Sequence, residues 1–237
     1  MIKQKRLALG VIFVLALALV RPSPAAAAKD DKADKDIQRV QDSIRVLGEM
    51  MKEADKSIPQ DLLAKSAGIA IIPGVIKAAY VIGGRHGNGV LVVRGKDGGW
   101  SSPSFIKLTG GSLGLQIGVE SADILLLFMT PRSVGNITNG KFTLGADAGL
   151  AAGPLGRAAE ASTDAQLKAE IYSYSRSRGL FAGLSLQGAS LSVDGNANER
   201  FYQLKGVGAQ TIFEGKVLRI PDIVAKLRQA LAEAAGK

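Results

Sequence analysis

Between residues 172 and 178 the chain reads Tyr-Ser-Tyr-Ser-Arg-Ser-Arg. Side chains two apart on a strand share a face, so Tyr172, Tyr174, Arg176 and Arg178 line one side and the serines the other. A guanidinium binds phosphate through charge and paired hydrogen bonds, and tyrosine suits the boundary between water and an apolar layer. The stripe therefore has the chemistry of a phosphate-bearing head group site. The same spacing also describes a strand that packs its tyrosines on a core and holds its arginines in ion pairs at the rim. Lys77, Arg85, Lys107 and Arg157 are further basic residues that fit either a ligand-facing or a structural role.

Other chemistries find little support. The chain has one histidine and no cysteine, so thiolate metal sites and disulfides are excluded. His86 stands alone in the segment GGRHGNG, which reads as a turn between strands. Zinc needs three or four ligands, and a hydrolase triad needs a placed nucleophile and acid. Residues 135–142, GNITNGKF, carry the G-x-x-x-x-G-K core of a phosphate loop, but Phe142 stands where a magnesium-holding Ser or Thr belongs. Glu160 and Asp164 are carboxylates four apart, yet their neighbours Ser162 and Thr163 are turn and capping types. Aromatic residues make up only 5% and do not interleave with a basic groove, which argues against nucleic acid. No cofactor and no catalytic centre are expected.

The elements that must position these residues are legible in the apolar pattern. Ile37, Val40, Ile44, Leu47, Met51, Ala54 and Ile58 recur at steps of three and four, which predicts one stripe of a long helix ended by Pro59. Residues 60–66 suit a short second helix. From residue 69 the pattern turns to short apolar runs, at 69–72, 75–82, 90–94, 105–108, 113–119 and 123–129, with glycine-rich turns at 83–89 and 95–99. A short helix is expected at 131–139. Residues 142–152 alternate cleanly and predict one strand, with others at 169–178, 180–187, 189–194 and 207–213. Pro221-Asp222 opens a closing helix whose apolar face is Ile223, Leu227, Ala230, Leu231 and Ala234. The class is α+β: an antiparallel β sandwich or partly closed barrel flanked by N- and C-terminal helices.

The N-terminus carries an export signal. Lys3, Lys5 and Arg6 precede the apolar run LALGVIFVLALALV at 7–20, and small residues end at Ala26-Ala27-Ala28. Residues 1–28 therefore read as a signal peptide and 29–35, KDDKADK, as a disordered lead-in. Residues 36–237 read as one domain. Residues 1–28 hold four basic and no acidic side chains, so cleavage lowers the formal charge from +9 to +5, a moderate attraction to acidic surfaces. A soluble periplasmic protein is expected.

Between about residues 64 and 202 the chain resembles the SYLF domain family. The resemblance is carried by AKSAGIAIIPGVIKAAYVIGGRHGNGVLVVR at 64–94 and WSSPSFIKLTGGSLGLQIGVESADILLLFM at 100–129. It continues in KFTLGADAGLAAGPLGRAAEASTD at 141–164 and AEIYSYSRSRGLFAGLSLQGASLSVD at 169–194. It implies a non-catalytic lipid-binding protein. Eukaryotic relatives bind phosphoinositides, yeast members also bind and bundle actin, and many carry SH3 or FYVE modules. This chain departs from them in its export signal and leaves no segment for either module. Anionic phospholipid membranes are therefore the expected partner, and actin is not expected in that compartment. The alternative is an interaction module for a protein or an envelope polymer.

Overall fold

The computed structural model describes residues 24–52, 57–79, 82–113, 118–138, 140, 142–155, 169–177, 180–181 and 186–236. Helix α1 spans Pro24–Met51 and α2 spans Gln60–Lys65. The alanine run at 25–28 and the i,i+4 pair of Asp31 with Lys35, 2.7 Å apart, favour helix through the segment expected as a disordered lead-in. The buried positions of α1 are Asp36, Val40, Ser43, Val46, Leu47 and Met50. Ile37 is largely exposed, so the stripe is rotated from the one that the apolar residues alone predict.

Among the described residues nine strands form one sheet. They are β1 Gly68–Ala79, β2 Ile82–Val93, β3 Ser104–Leu113, β4 Gly118–Phe128, β5 Phe142–Thr143, β6 Leu150–Ala152, β7 Ile171–Ser177, β8 Leu180–Phe181 and β9 Ser190–Val193. The order is β5-β9-β3-β2-β1-β4-β7-β6, with β8 also on β7; all pairings are antiparallel except β6 with β7. The two ends of this path, β5 and β6, are joined by residues 144–149. Laid flat, eight strands would hold their edges about 34 Å apart. The seven steps from Thr143 to Leu150 reach at most about 25 Å. The sheet therefore curls toward closure, and of the two expected architectures the structure is the partly closed barrel. Residues 142–152 do not form the single strand that their alternation predicts. Gly145 at φ 82° and the Asp147 carboxylate, which accepts from Thr143 N, break the run so that its halves pair at opposite edges.

Helix α3 spans Pro131–Thr138, α4 Gly195–Tyr202, α5 Ala209–Phe213 and α6 Ile223–Ala234. Residues 207–213, expected as a strand, hold α5 instead. Ala209 and Ile212 are its buried side chains, three apart as on a helix rather than two apart as on a strand. One core lies between the sheet and the terminal helices and contains Val40, Leu47, Ile71, Phe105, Leu125 and Leu227. The other lies inside the curl and contains Ile72, Leu108, Leu126 and Phe128 with Ile137 of α3.

Glycine decides the course of β2. The segment 83–89, expected as a turn, lies inside the strand. Strand β1 bulges at Pro73-Gly74, where Gly74 takes φ 56° and its N–H donates to Asp123 at 2.9 Å. A Cβ at Gly89 would run into the Ile71 carbonyl and lie 2.8 Å from Ile72 Cα; one at Gly87 would lie 2.6 Å from Val75 Cγ2. Bare backbone lets β2 nest against the bulged strand.

Candidate ligand-facing surfaces

The stripe on β7 faces the helices. Tyr172 and Tyr174 are 3% and 2% exposed and belong to the core beneath α1. The Tyr172 hydroxyl accepts from Ala169 N, and the Tyr174 hydroxyl donates to the Pro154 carbonyl, each at 3.3 Å. Burial pushes the Tyr174 phenol far above its usual range. A Cβ at Gly153 would run into its ring, so that glycine makes room for the tyrosine. Arg176 is half-buried and its guanidinium donates to the Glu49 carboxylate of α1. That hydrogen bond, with a second from Arg45, holds the Glu49 carboxyl below its ordinary value. Arg178 and Arg157 lie outside the described residues, as do Glu160 and Asp164.

Two other basic residues of the set are register partners on neighbouring strands. Lys77 on β1 stands directly opposite Arg85 on β2, and on its other side opposite Glu120 on β4. Lys77 Nζ lies 3.9 Å from a Glu120 oxygen. Like charges directly opposed across strands are unfavourable, and Glu120 on the other side of Lys77 offsets that repulsion. Both side chains project on the face of Val75 and Gly87, away from the terminal helices. Partial burial lowers the pKa of the Arg85 guanidinium from its ordinary value, because it disfavours the charged form.

Lys107 projects from β3 on the helical face and joins a charge network. Its Nζ lies 3.1 Å from an oxygen of Asp194, whose carboxylate also caps α4 by accepting from Ala197 N at 3.2 Å. Asp36, 1% exposed, accepts two hydrogen bonds from Arg200, at 2.9 and 3.2 Å. Arg39 stands between these carboxylates, with Nη1 3.7 Å from Asp36 and 3.9 Å from Asp194. Its guanidinium lies 5.3 Å from the centre of the Phe105 ring. The sequence-derived residues thus occupy three places: the β7 stripe under α1, the Lys77–Arg85 pair on the other face, and Lys107 in the Asp194 network. Among the described residues no three His, Cys, Asp or Glu side chains converge as metal ligands would.

A further surface was not singled out by the sequence pattern. Leu218 is fully exposed, and Leu204 and Ile220 are each 41% exposed. Lys205, Lys216 and Arg219 stand beside them on the same two segments, all exposed. The Arg219 guanidinium donates to the Gln203 side chain, which ties the segment after α4 to the one before α6. The available signal was the run Lys216-Val217-Leu218-Arg219-Ile220. It sets apolar residues between cations just before a helix start, but periodicity does not reveal which of them face out.

The comparisons with known proteins agree on one family. The model of the Ysc84 family, described as "Las17-binding protein actin regulator", matches residues 109–234. LAS seventeen-binding protein 3 of Saccharomyces cerevisiae is 39% identical over 181 residues, covering 75% of this chain and 39% of that protein. Protein YSC84 of the same yeast is 41% identical over 152 residues, 63% of this chain and 32% of its own length. The human SH3 domain-containing YSC84-like protein 1 is 40% identical over 149 residues, 62% of this chain and 43% of its own. The chain spans between about a third and a half of the length of these relatives. The family match takes in the sheet from the middle of β3 to β9 and all the helices after it, and on that span the chain belongs to the Ysc84 (SYLF domain) family.

Proposed function

We propose that the chain is an exported, non-catalytic protein that docks on anionic lipid surfaces. The observation that supports this best is the exposed patch of Leu204, Leu218 and Ile220 among Lys205, Lys216 and Arg219. A fully exposed leucine gains about 1.5–3 kcal/mol when buried in an apolar layer. Each basic residue near an anionic bilayer adds on the order of 1 kcal/mol. Either signal alone gives weak attachment, and reversible docking follows from the two together. Lys77, Arg85, Arg157 and Arg178 contribute to the positive field around the molecule in this reading. Tyr172, Tyr174 and Arg176 hold β7 against α1. The N-terminal basic residues, the apolar run 7–20 and Ala26-Ala27-Ala28 support export to the periplasm.

Co-sedimentation of the purified protein with vesicles tests the reading. Binding to anionic vesicles should exceed binding to neutral ones and weaken in high salt. The family description and the names of the yeast relatives favour a second reading, a module that binds another protein. Vesicles that carry no other protein separate the two, because a module of that kind stays in the supernatant with either vesicle type.

A further inference from the structure

Helix α4 ends in a conformation that its sequence does not favour. Gln203, directly after the helix, takes φ 53° and ψ 36°, in the left-handed region. Among the described residues it is the only one other than glycine with a positive φ. Glycine is the common occupant of such a position, because a side chain there is crowded by the neighbouring carbonyl oxygen.

The turn itself does not call for glutamine. The Gln203 N–H donates to the Glu199 carbonyl, as does that of Leu204 at 3.2 Å, and Gly206 N donates to the Glu199 side chain at 2.8 Å. None of these bonds uses the Gln203 side chain, so glycine at 203 would keep them all and relieve the crowding. What glycine would not supply is the carboxamide. Its oxygen accepts from the Arg219 guanidinium, 16 residues further along the chain. Arg219 stands between the exposed Leu218 and Ile220, and the exposed Leu204 follows Gln203 directly. The bond thus joins the two segments that carry the apolar patch. Among the described residues no other side-chain hydrogen bond or ion pair joins 203–206 to 214–220. A strained backbone persists where the surroundings use it, and a side chain that breaks a local rule marks such a place.

We propose that Gln203 is a positioning residue for the Leu204–Ile220 patch: it holds Arg219 across the two segments and so fixes Leu204 and Leu218 on one surface before a partner arrives. What the patch meets rests on the docking reading; how the patch is held rests on the Gln203–Arg219 bond. Two segments already fastened lose less freedom on binding than two loose ones, so the bond raises affinity by preorganisation.

Gln203→Gly removes the acceptor and suits the left-handed turn, so the melting temperature should stay level or rise. Hydrogen exchange reads the fastening directly. The amides of residues 216–220 should exchange faster in Gln203→Gly although the fold is no less stable. Binding to vesicles of phosphatidylglycerol and phosphatidylcholine should weaken about three- to tenfold. In an Arg219→Ala background, which has already lost the bond, the same change should have no further effect on exchange or binding. The proposal is overturned if Gln203→Gly leaves exchange at 216–220 unchanged, or binds as tightly as a parent that does bind. It is also overturned if the loss of binding is equal with and without Arg219, or if the melting temperature falls with it, which is the mark of a merely structural role. A parent that binds no vesicles defeats the docking reading instead, and exchange at 216–220 still decides whether Gln203 fastens the patch.

Discussion

Arg176 of β7 pairs with Glu49 of α1, residues 127 apart in sequence, and this contact fastens the N-terminal helix to the strand. A guanidinium engaged in this way is a clamp between elements. Tyr172 and Tyr174 on the same face fill the core that the clamp closes.

The pair gives a pH dependence of known sign. The Glu49 carboxyl is held below its ordinary value of 4.5, first by the hydrogen bond from Arg176. A depressed carboxyl stabilises the fold fully above the unfolded value, and that contribution is lost as the pH falls through the lower folded value. Glu49→Gln should therefore be less stable than the parent at pH 7, by about 1 kcal/mol. Urea titrations at several pH values should show the difference at its full size above the ordinary carboxyl range and shrinking as the pH falls through the lower folded value. A difference that persists unchanged in acid would detach the stability from this carboxylate.

Glycines on neighbouring strands are not equivalent. Gly89→Ala forces a methyl group into the Ile71 carbonyl and should cost about 3 kcal/mol or prevent folding. Gly111→Ala, on β3, meets nothing within 4 Å and should stay within about 0.5 kcal/mol of the parent. Thermal melts of the two variants provide the comparison. Equal effects would mean that the close approach at the β1 bulge is not what excludes a side chain.

Leu47 lies at the centre of the buried stripe of α1, 1% exposed. Leu47→Asp loses apolar contact and buries an unpaired charge, and should lower stability by a few kcal/mol. An unchanged melting temperature would mean that the stripe does not dock on the sheet.

Periodicity reported the elements it is suited to report. The spacing of Val40 and Leu47, and of Leu227 and Leu231, reveals two amphipathic helices whose faces are buried in the structure. It misplaced the α1 stripe by one position because Asp36 is buried with Arg200, a partner that arrives only through tertiary folding. The glycines at 83–89 have a turn composition, and only the bulge at Pro73-Gly74 explains why bare backbone is needed inside a strand. The alternation at 142–152 matches burial at Phe142, Leu144 and Ala148 but not at Ala146 and Ala152, which are exposed, because the chain turns at Gly145 to cross from one edge of the curled sheet to the other. Charge and aromatic content drew attention to Tyr172 and Tyr174, which exposure places in the core. Exposure, which no spacing encodes, drew attention to Leu218. The pairing of Lys77 with Arg85 is a cross-strand register that follows that same bulge.

Docking through the Leu204–Ile220 patch is tested most directly with the double variant Leu218→Ser/Arg219→Glu, both positions being exposed, with folding checked by circular dichroism because Arg219 also donates to Gln203. The measurement is vesicle co-sedimentation of the parent and the folded variant, on anionic and neutral vesicles, at low and high salt. The parent should prefer anionic vesicles and release them in high salt. The variant should lose about 2 kcal/mol or more, at least about thirtyfold in affinity. A folded variant that binds anionic vesicles as tightly as the parent, or a parent that binds neither vesicle type, would contradict the account.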